Sequence, residues 1–300
     1  MNPKKVINQL IRKPAVRKIG IPAYRLYASS IRWRPAPKVL AISMPKAGTH
    51  LLGRTLDLFP KMMFSGLHLS EEDIFERNGL DTTAVLNNMD HLNDTLGRCL
   101  DGQYMTGHFP YNSSLYTKIK EHGFTILIII RDPRDVAVSY VNYVCREPRH
   151  FHHKYYTQGL NTFTERLDAT LHGFEKNSFA TRGLVSLQRQ MTDYQPWLQS
   201  PEPVFRFEDL IGKSGNGSQE DQNEAVRRIA ELVARPLTND QIKSIAGRAF
   251  SKNARTFHKG SAGGGATSYT AEQLDYCAET LDTLIASFGY PETHTYSAAK

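Results

Sequence analysis

Three hundred residues with 40% hydrophobic content can bury a full core in one large domain or two small ones, and a net charge of +7 invites a polyanion-binding reading. The charge distribution excludes it: residues 1–38 hold ten Lys and Arg and no acid, which leaves 27 basic against 30 acidic residues, a net of −3, in the body of the chain. The longest apolar run, Phe124 to Ile130, is far short of the roughly 20 residues of a membrane span, and Cys99, Cys145 and Cys277 are too few and too scattered for a disulfide framework or a metal site, so a cytoplasmic protein without a metal is expected.

Residues 1–37 form a basic arm in which Arg12, Lys13, Arg17 and Lys18 alternate with Val6, Ile7, Leu10, Ile11, Val16 and Ile19. Such a segment could make peripheral contact with an anionic membrane surface or hold an acidic glycan; the alternative is a packed arm with a solvated basic face. Its apolar residues are dispersed, unlike the central block of a secretory signal.

Val39 to Ile42 reads as a buried strand, and Gly48 through Phe59 as a helix stopped before Pro60. Gln103 to Thr106 is a second strand, leading into Gly107-His108-Phe109-Pro110, so His108 sits at a strand end. Phe124 to Ile130 is a near-continuous apolar strand of the kind buried in parallel sheets, followed by Asp132 as a cap and Pro133 in the first turn of a helix. Helical spacing returns over Phe179 to Leu198, Gln219 to Ala234 and Asn239 to Phe250, with a short strand at Pro203 to Phe207. Gly212 to Gly217 and Ser261 to Gly265 read as loops, and residues 291–300 as a flexible tail. The alternation predicts one three-layer α/β/α domain over 38–290, with a central mostly parallel sheet and ligands beyond the carboxyl ends of its strands, a P-loop-like nucleotide-binding architecture.

Two strand-to-helix junctions carry the chemistry. In Met44-Pro45-Lys46-Ala47-Gly48-Thr49-His50, Gly48 lets a phosphate approach the backbone, Thr49 and His50 present N–H groups in the first helical turn, and Lys46 adds a cation. Lys46 precedes the glycine, which is not the Walker A order. In Arg131-Asp132-Pro133-Arg134-Asp135, followed by Ser139, an arginine fork and a hydroxyl can hold a second phosphate, while Arg134 and Asp135 read as solvated surface pairs.

Taken in order, Pro45-Lys46-Ala47-Gly48-Thr49, Gly107-His108-Phe109-Pro110, Arg131 through Tyr140, Phe207-Glu208-Asp209-Leu210 and Lys259-Gly260-Ser261-Ala262-Gly263 resemble the motifs of sulfotransferases that use 3′-phosphoadenosine 5′-phosphosulfate (PAPS), releasing 3′-phosphoadenosine 5′-phosphate (PAP). The resemblance runs from about Lys38 to Leu284. It implies that Lys46, Ala47, Gly48, Thr49 and His50 hold the 5′-phosphosulfate, that Arg131, Ser139, His258, Lys259 and Gly260 hold the 3′-phosphate, and that Phe207 and Phe250 line the adenine. The chain departs from the family's pattern at His50, at Leu51 where a stacking tryptophan is common, at His258 where an arginine usually stands, and at Gly265-Ala266 where a Trp-Lys pair is usual.

Sulfuryl transfer to a hydroxyl or amine needs a base, and His108 is the first choice, with His68 and Glu71 as alternatives. Lys46 would stabilise charge on the departing phosphate, with Ser139 restraining it. The run Arg146, Arg149, His150, Phe151, His152, His153, Lys154, Tyr155 and Tyr156 is expected to form part of the acceptor wall, its cations and aromatics suiting a glycan or glycolipid somewhat better than a small hydroxylated metabolite. A nucleotide-dependent phosphotransferase and a non-catalytic nucleotide-binding protein are the rival readings.

Overall fold

The computed structural model describes residues 22–24, 26–31, 36–77, 79, 83–213, 217–250 and 265–298. Five strands form the central sheet: β1 (Lys38–Ile42), β2 (Met63–Ser70), β5 (Gln103–His108), β6 (Phe124–Ile130) and β7 (Val204–Arg206). Their order is β2-β5-β1-β6-β7 and all four pairings are parallel. Two short strands, β3 (Phe75–Glu76) and β4 (Val85–Leu86), make a separate antiparallel pair.

Alternation along the central strands divides the core. Leu40, Ile42, Leu69, Met105, Ile126, Ile128 and Ile130 face one helical layer, which includes Ser113–Glu121, Pro133–Arg146 and Leu187–Gln199. Val39, Ala41, Tyr104, Leu127, Ile129 and Phe205 face the other, built from Thr49–Leu58, Gln219–Leu232 and Asn239–Ala249. This is the expected three-layer α/β/α fold. A sheet covered on both faces explains why β6 is an apolar run with only Thr125 short of full burial.

Three expectations are corrected, and one segment given no element above proves to be a strand. The helix expected from Phe179 begins at Leu187, because Ser186 Oγ accepts from the Arg189 N–H (3.1 Å), while Phe174 and Leu184 pair upstream as an isolated antiparallel bridge. The segment carrying His68 is a strand: Met63, Ser65, Leu67 and Leu69 alternate inward, interrupted by a register shift between Phe64 and His68. Arg134 and Asp135 are buried at 0% and 1% exposure. Arg134 donates to Asp132 Oδ1 and Oδ2 (2.9 and 2.8 Å) and to the Pro291 carbonyl (2.7 Å), and loss of one partner from such a pair typically costs about 3–5 kcal/mol. The end of the chain is not a free tail: residues Thr293–Ala298 are helical, Tyr296 is buried, and its hydroxyl donates to Asp135 (2.8 Å).

Part of the arm is also packed. Residues 22–24 and 26–28 are helical, with Tyr24 and Ala28 buried. The Tyr24 hydroxyl donates to the Phe64 carbonyl of β2 (2.8 Å), and Gln103 of β5 bonds the Ala28 carbonyl. Residues 1–21 lie outside the described residues. No helix among the described residues is long and apolar enough to cross a membrane.

Candidate active site

Because β1 and β6 pair, the junctions that follow them stand side by side at the carboxyl edge of the sheet, where the strand order reverses. All five strands deliver residues to one cleft of about 1410 Å³: Lys46 and Gly48 after β1, Glu71 after β2, His108 from β5, Arg131 after β6 and Phe207 after β7. That volume exceeds a single small-ligand pocket and leaves room for a nucleotide and a second molecule.

The first junction is held in a fixed shape. Lys46 has φ 72°, a left-handed backbone that costs a non-glycine residue of order 1 kcal/mol, and Gly48 has φ 118° at the helix N-cap. A Cβ at Gly48 would stand 2.9 Å from both Ile129 and Phe207, so only glycine brings this helix start against the sheet. The Leu51 and Leu52 N–H groups bond the Gly48 carbonyl, whereas those of Thr49 and His50, in the first turn, have no intrahelical acceptor. Buried Thr49 shares a hydrogen bond with Ser43. The Lys46 ammonium rests on the Tyr143 ring, 3.8 Å from its centroid, and not at the Ser139 hydroxyl. Burial, and then the charges of Arg131 and Arg146, lower its pKa to about 8.

His108 donates from Nδ1 to the Ser43 carbonyl (2.8 Å); a carbonyl only accepts, so the ring carries its proton on Nδ1 and the lone pair on Nε2. Burial, followed by the neighbouring His68, lowers its pKa to about 3. The ring is therefore neutral throughout the physiological range. His68 packs edge-on against it (centroids 4.9 Å apart) and shares a hydrogen bond from Nδ1 with Thr106 Oγ1 (2.8 Å). Glu71 is committed elsewhere, since Arg77 Nε and Nη2 both donate to its Oε1 (3.0 and 2.6 Å). Burial raises its carboxyl pKa, and Arg77 opposes that rise.

At the second junction, the Arg131 guanidinium lies 4.4 Å from the Phe207 ring centroid and 3.5 Å from Asp135 Oδ2, and its buried Nε has no hydrogen-bond partner. A buried donor without a partner, beside mutually repelling cations at a helix N-terminus, is a site that suits a polyanion. Ser139, Phe207 and Phe250 also line the cleft. His258, Lys259 and Gly260 lie outside the described residues.

The acceptor half corrects the expected row of cations. Arg146, His150, Phe151 and His152 line the cleft, but Arg149, His153, Lys154, Tyr155 and Tyr156 do not. His152 is 1% exposed, donates from Nε2 to the Arg182 carbonyl (3.1 Å) and accepts at Nδ1 from the Tyr140 hydroxyl (2.7 Å). His150 stacks on Phe151 at 4.3 Å. Burial lowers both imidazole pKa values to about 4, so the histidines of this wall are neutral and its charge rests with Arg146 and Arg182, the latter 5.2 Å from the Phe151 ring centroid. Glu71, Glu72 and Asp193 also line the cleft, with Glu71 and Asp193 paired to Arg77 and Glu72 3.5 Å from Arg182.

Sequence reasoning missed Ser43, whose carbonyl sets the His108 tautomer, and Tyr143, the seat of Lys46. The spacing of Ser139 and Tyr143, four apart on one helix face, was the available signal for the latter.

The Sulfotransferase domain family matches residues 36–261. The chain belongs to that family, and its class is that of a PAPS-dependent sulfotransferase. Among solved structures it is similar to mouse sulfotransferase SULT7A1 complexed with PAP: TM-score 0.56, 16% identity, covering 88% of this chain and 92% of that one. It is also similar to retinol dehydratase in complex with androsterone and inactive cofactor PAP: TM-score 0.50, 14% identity, covering 87% and 85%. No curated protein matches it in sequence.

Proposed function

We propose that this protein transfers a sulfuryl group from PAPS to a hydroxyl of an acceptor that packs on an aromatic wall, with His108 Nε2 as the base. The observation that carries this reading is the His108 Nδ1 hydrogen bond to the Ser43 carbonyl, which puts the lone pair on Nε2 of a ring that lines the cleft. PAPS supplies the activated sulfuryl group. The Thr49 and His50 N–H groups, with Lys46, Ala47 and Gly48, would hold its 5′ end; Arg131 and Ser139, joined by His258, Lys259 and Gly260, would hold the 3′-phosphate, and Phe207 and Phe250 would flank the base. Lys46 places a positive charge where negative charge grows, and Tyr143 keeps it there.

For the acceptor, the aromatic wall of His150, Phe151 and His152 favours a hydroxylated molecule with an apolar or pyranose face to pack on it. That includes small hydroxylated compounds, of which the androsterone bound by retinol dehydratase is one example, and glycans. Calorimetric titration with PAP, in EDTA and with ATP as comparator, tests the donor assignment: micromolar binding of PAP with little of ATP supports it, and no PAP binding by folded protein overturns it. Radiolabelled PAPS with neutral phenols, steroids and glycans then tests the acceptor class.

The same titration carries a pH prediction. Lys46 has a pKa of about 8 in the free protein, and a bound anion must raise it. Binding is then expected to take up a proton near pH 8, and affinity to fall above pH 8 by about tenfold per unit until the bound-state pKa is reached. Calorimetry in buffers of different ionisation enthalpy reads the uptake directly, and a pH-independent affinity from 7 to 9.5 would exclude Lys46 from the anion site.

A further inference from the structure

We propose that the C-terminal helix Thr293–Ala298 is a positioning element of the nucleotide site, acting on Arg131 through Tyr296 and Asp135. This rests on the reading that Arg131 holds an anionic group of the donor. Tyr296 is buried, and its hydroxyl donates to Asp135 Oδ1 (2.8 Å). The Gly265 N–H donates to the same oxygen (2.9 Å). Two donors thus meet Oδ1 and hold the carboxylate in place, and Oδ2 lies 3.5 Å from Arg131, longer than a close ion pair. The other side of the guanidinium is set by the Phe207 ring, and its Nε remains without a partner. An Asp135 carboxylate already committed to two donors pulls less on Arg131, so the guanidinium stays available to a ligand. Burial, and then Asp135 itself, raise the Tyr296 phenol pKa, so it is always a donor.

The arrangement also explains a departure noted in the sequence. A Cβ at Gly265 would stand 2.7 Å from Asp135 Oδ1 and 2.8 Å from the Tyr296 hydroxyl, so a side chain there and this knot exclude one another. Where the family usually has Trp-Lys, this chain has Gly-Ala and a tyrosine arriving from its own C-terminus.

Tyr296→Phe removes the hydroxyl and keeps the ring, which lies 4.1 Å from the Arg134 guanidinium and edge-on to Tyr269. Full-length wild type, Tyr296→Phe, Arg131→Ala and the double variant are titrated with PAP and with adenosine 5′-phosphate, which lacks the 3′-phosphate. The expected result is a loss of about fivefold in PAP affinity for Tyr296→Phe, less than about twofold for adenosine 5′-phosphate, and no further loss in the Arg131→Ala background. Equal losses for both ligands in both backgrounds, as a merely structural role would give, overturn the proposal, and so does an unchanged PAP affinity. If Tyr296→Phe does not fold, Gly265→Ala, which displaces the same carboxylate oxygen, is held to the same ligand-selective pattern. A wild-type protein that fails to bind PAP removes the donor reading and this proposal together, whereas wild-type binding that Tyr296→Phe leaves untouched removes this proposal alone.

Discussion

His108→Ala is expected to lower kcat by about 10²–10⁴-fold while PAP binding stays within about threefold of wild type. The ring contributes through Nε2, and the Ser43 carbonyl fixes which nitrogen that is, so alanine removes the proton acceptor without touching Lys46, the Gly48 turn or Arg131. The depressed pKa has a further consequence. With a value of about 3 in the free enzyme, kcat/KM should show no acid limb from this group between pH 5 and pH 7, because protonation that disables the base lies below that window. Single-turnover rates with labelled PAPS and calorimetric PAP affinity decide between roles: comparable losses of both would make His108 structural, and an acid limb centred near 6.5 would mean that His108 titrates like an exposed imidazole.

Lys46→Ala is expected to behave differently, weakening PAP binding by about tenfold or more and lowering kcat by about 10²–10³-fold. Its ammonium is crowded by Arg131 and Arg146 and rests on an uncharged ring, and among the described residues no carboxylate forms an ion pair with it. The variant should also lose the proton uptake near pH 8. Steady-state kinetics matching wild type in both parameters would sink the assignment.

Local sequence signals located the two junctions because each combines a buried strand, a helix start and a cation within about ten residues, all short-range features. They located His108 at a strand end but not its tautomer, which depends on Ser43, just past the end of the neighbouring strand β1. They missed β2, whose inward positions include Ser65 and whose outward ones include Gly66, a pattern too weak to read as alternation. The solvated reading of Arg134 and Asp135 and the free tail failed together and for one reason. Each satisfies the other: Pro291, Thr293 and Tyr296 meet the charges of the second junction across more than half the chain. No local periodicity encodes such a contact. The histidine run looked cationic because composition shows charge capacity, whereas burial decides which form is populated.

The central position of β1 has a consequence for the nascent chain. Lys38 pairs with Phe124 and Val39 with Tyr104, while Phe207, beside Gly48, is placed only after β7 has joined β6 at Ile128 and Val204. The phosphate loop is among the first parts of the body to be synthesised, yet both strands that flank β1 arrive much later, a topology of high contact order that folds slowly. A truncated or half-synthesised chain therefore carries the motif without the site, and ligand capture reports completion of the whole sheet.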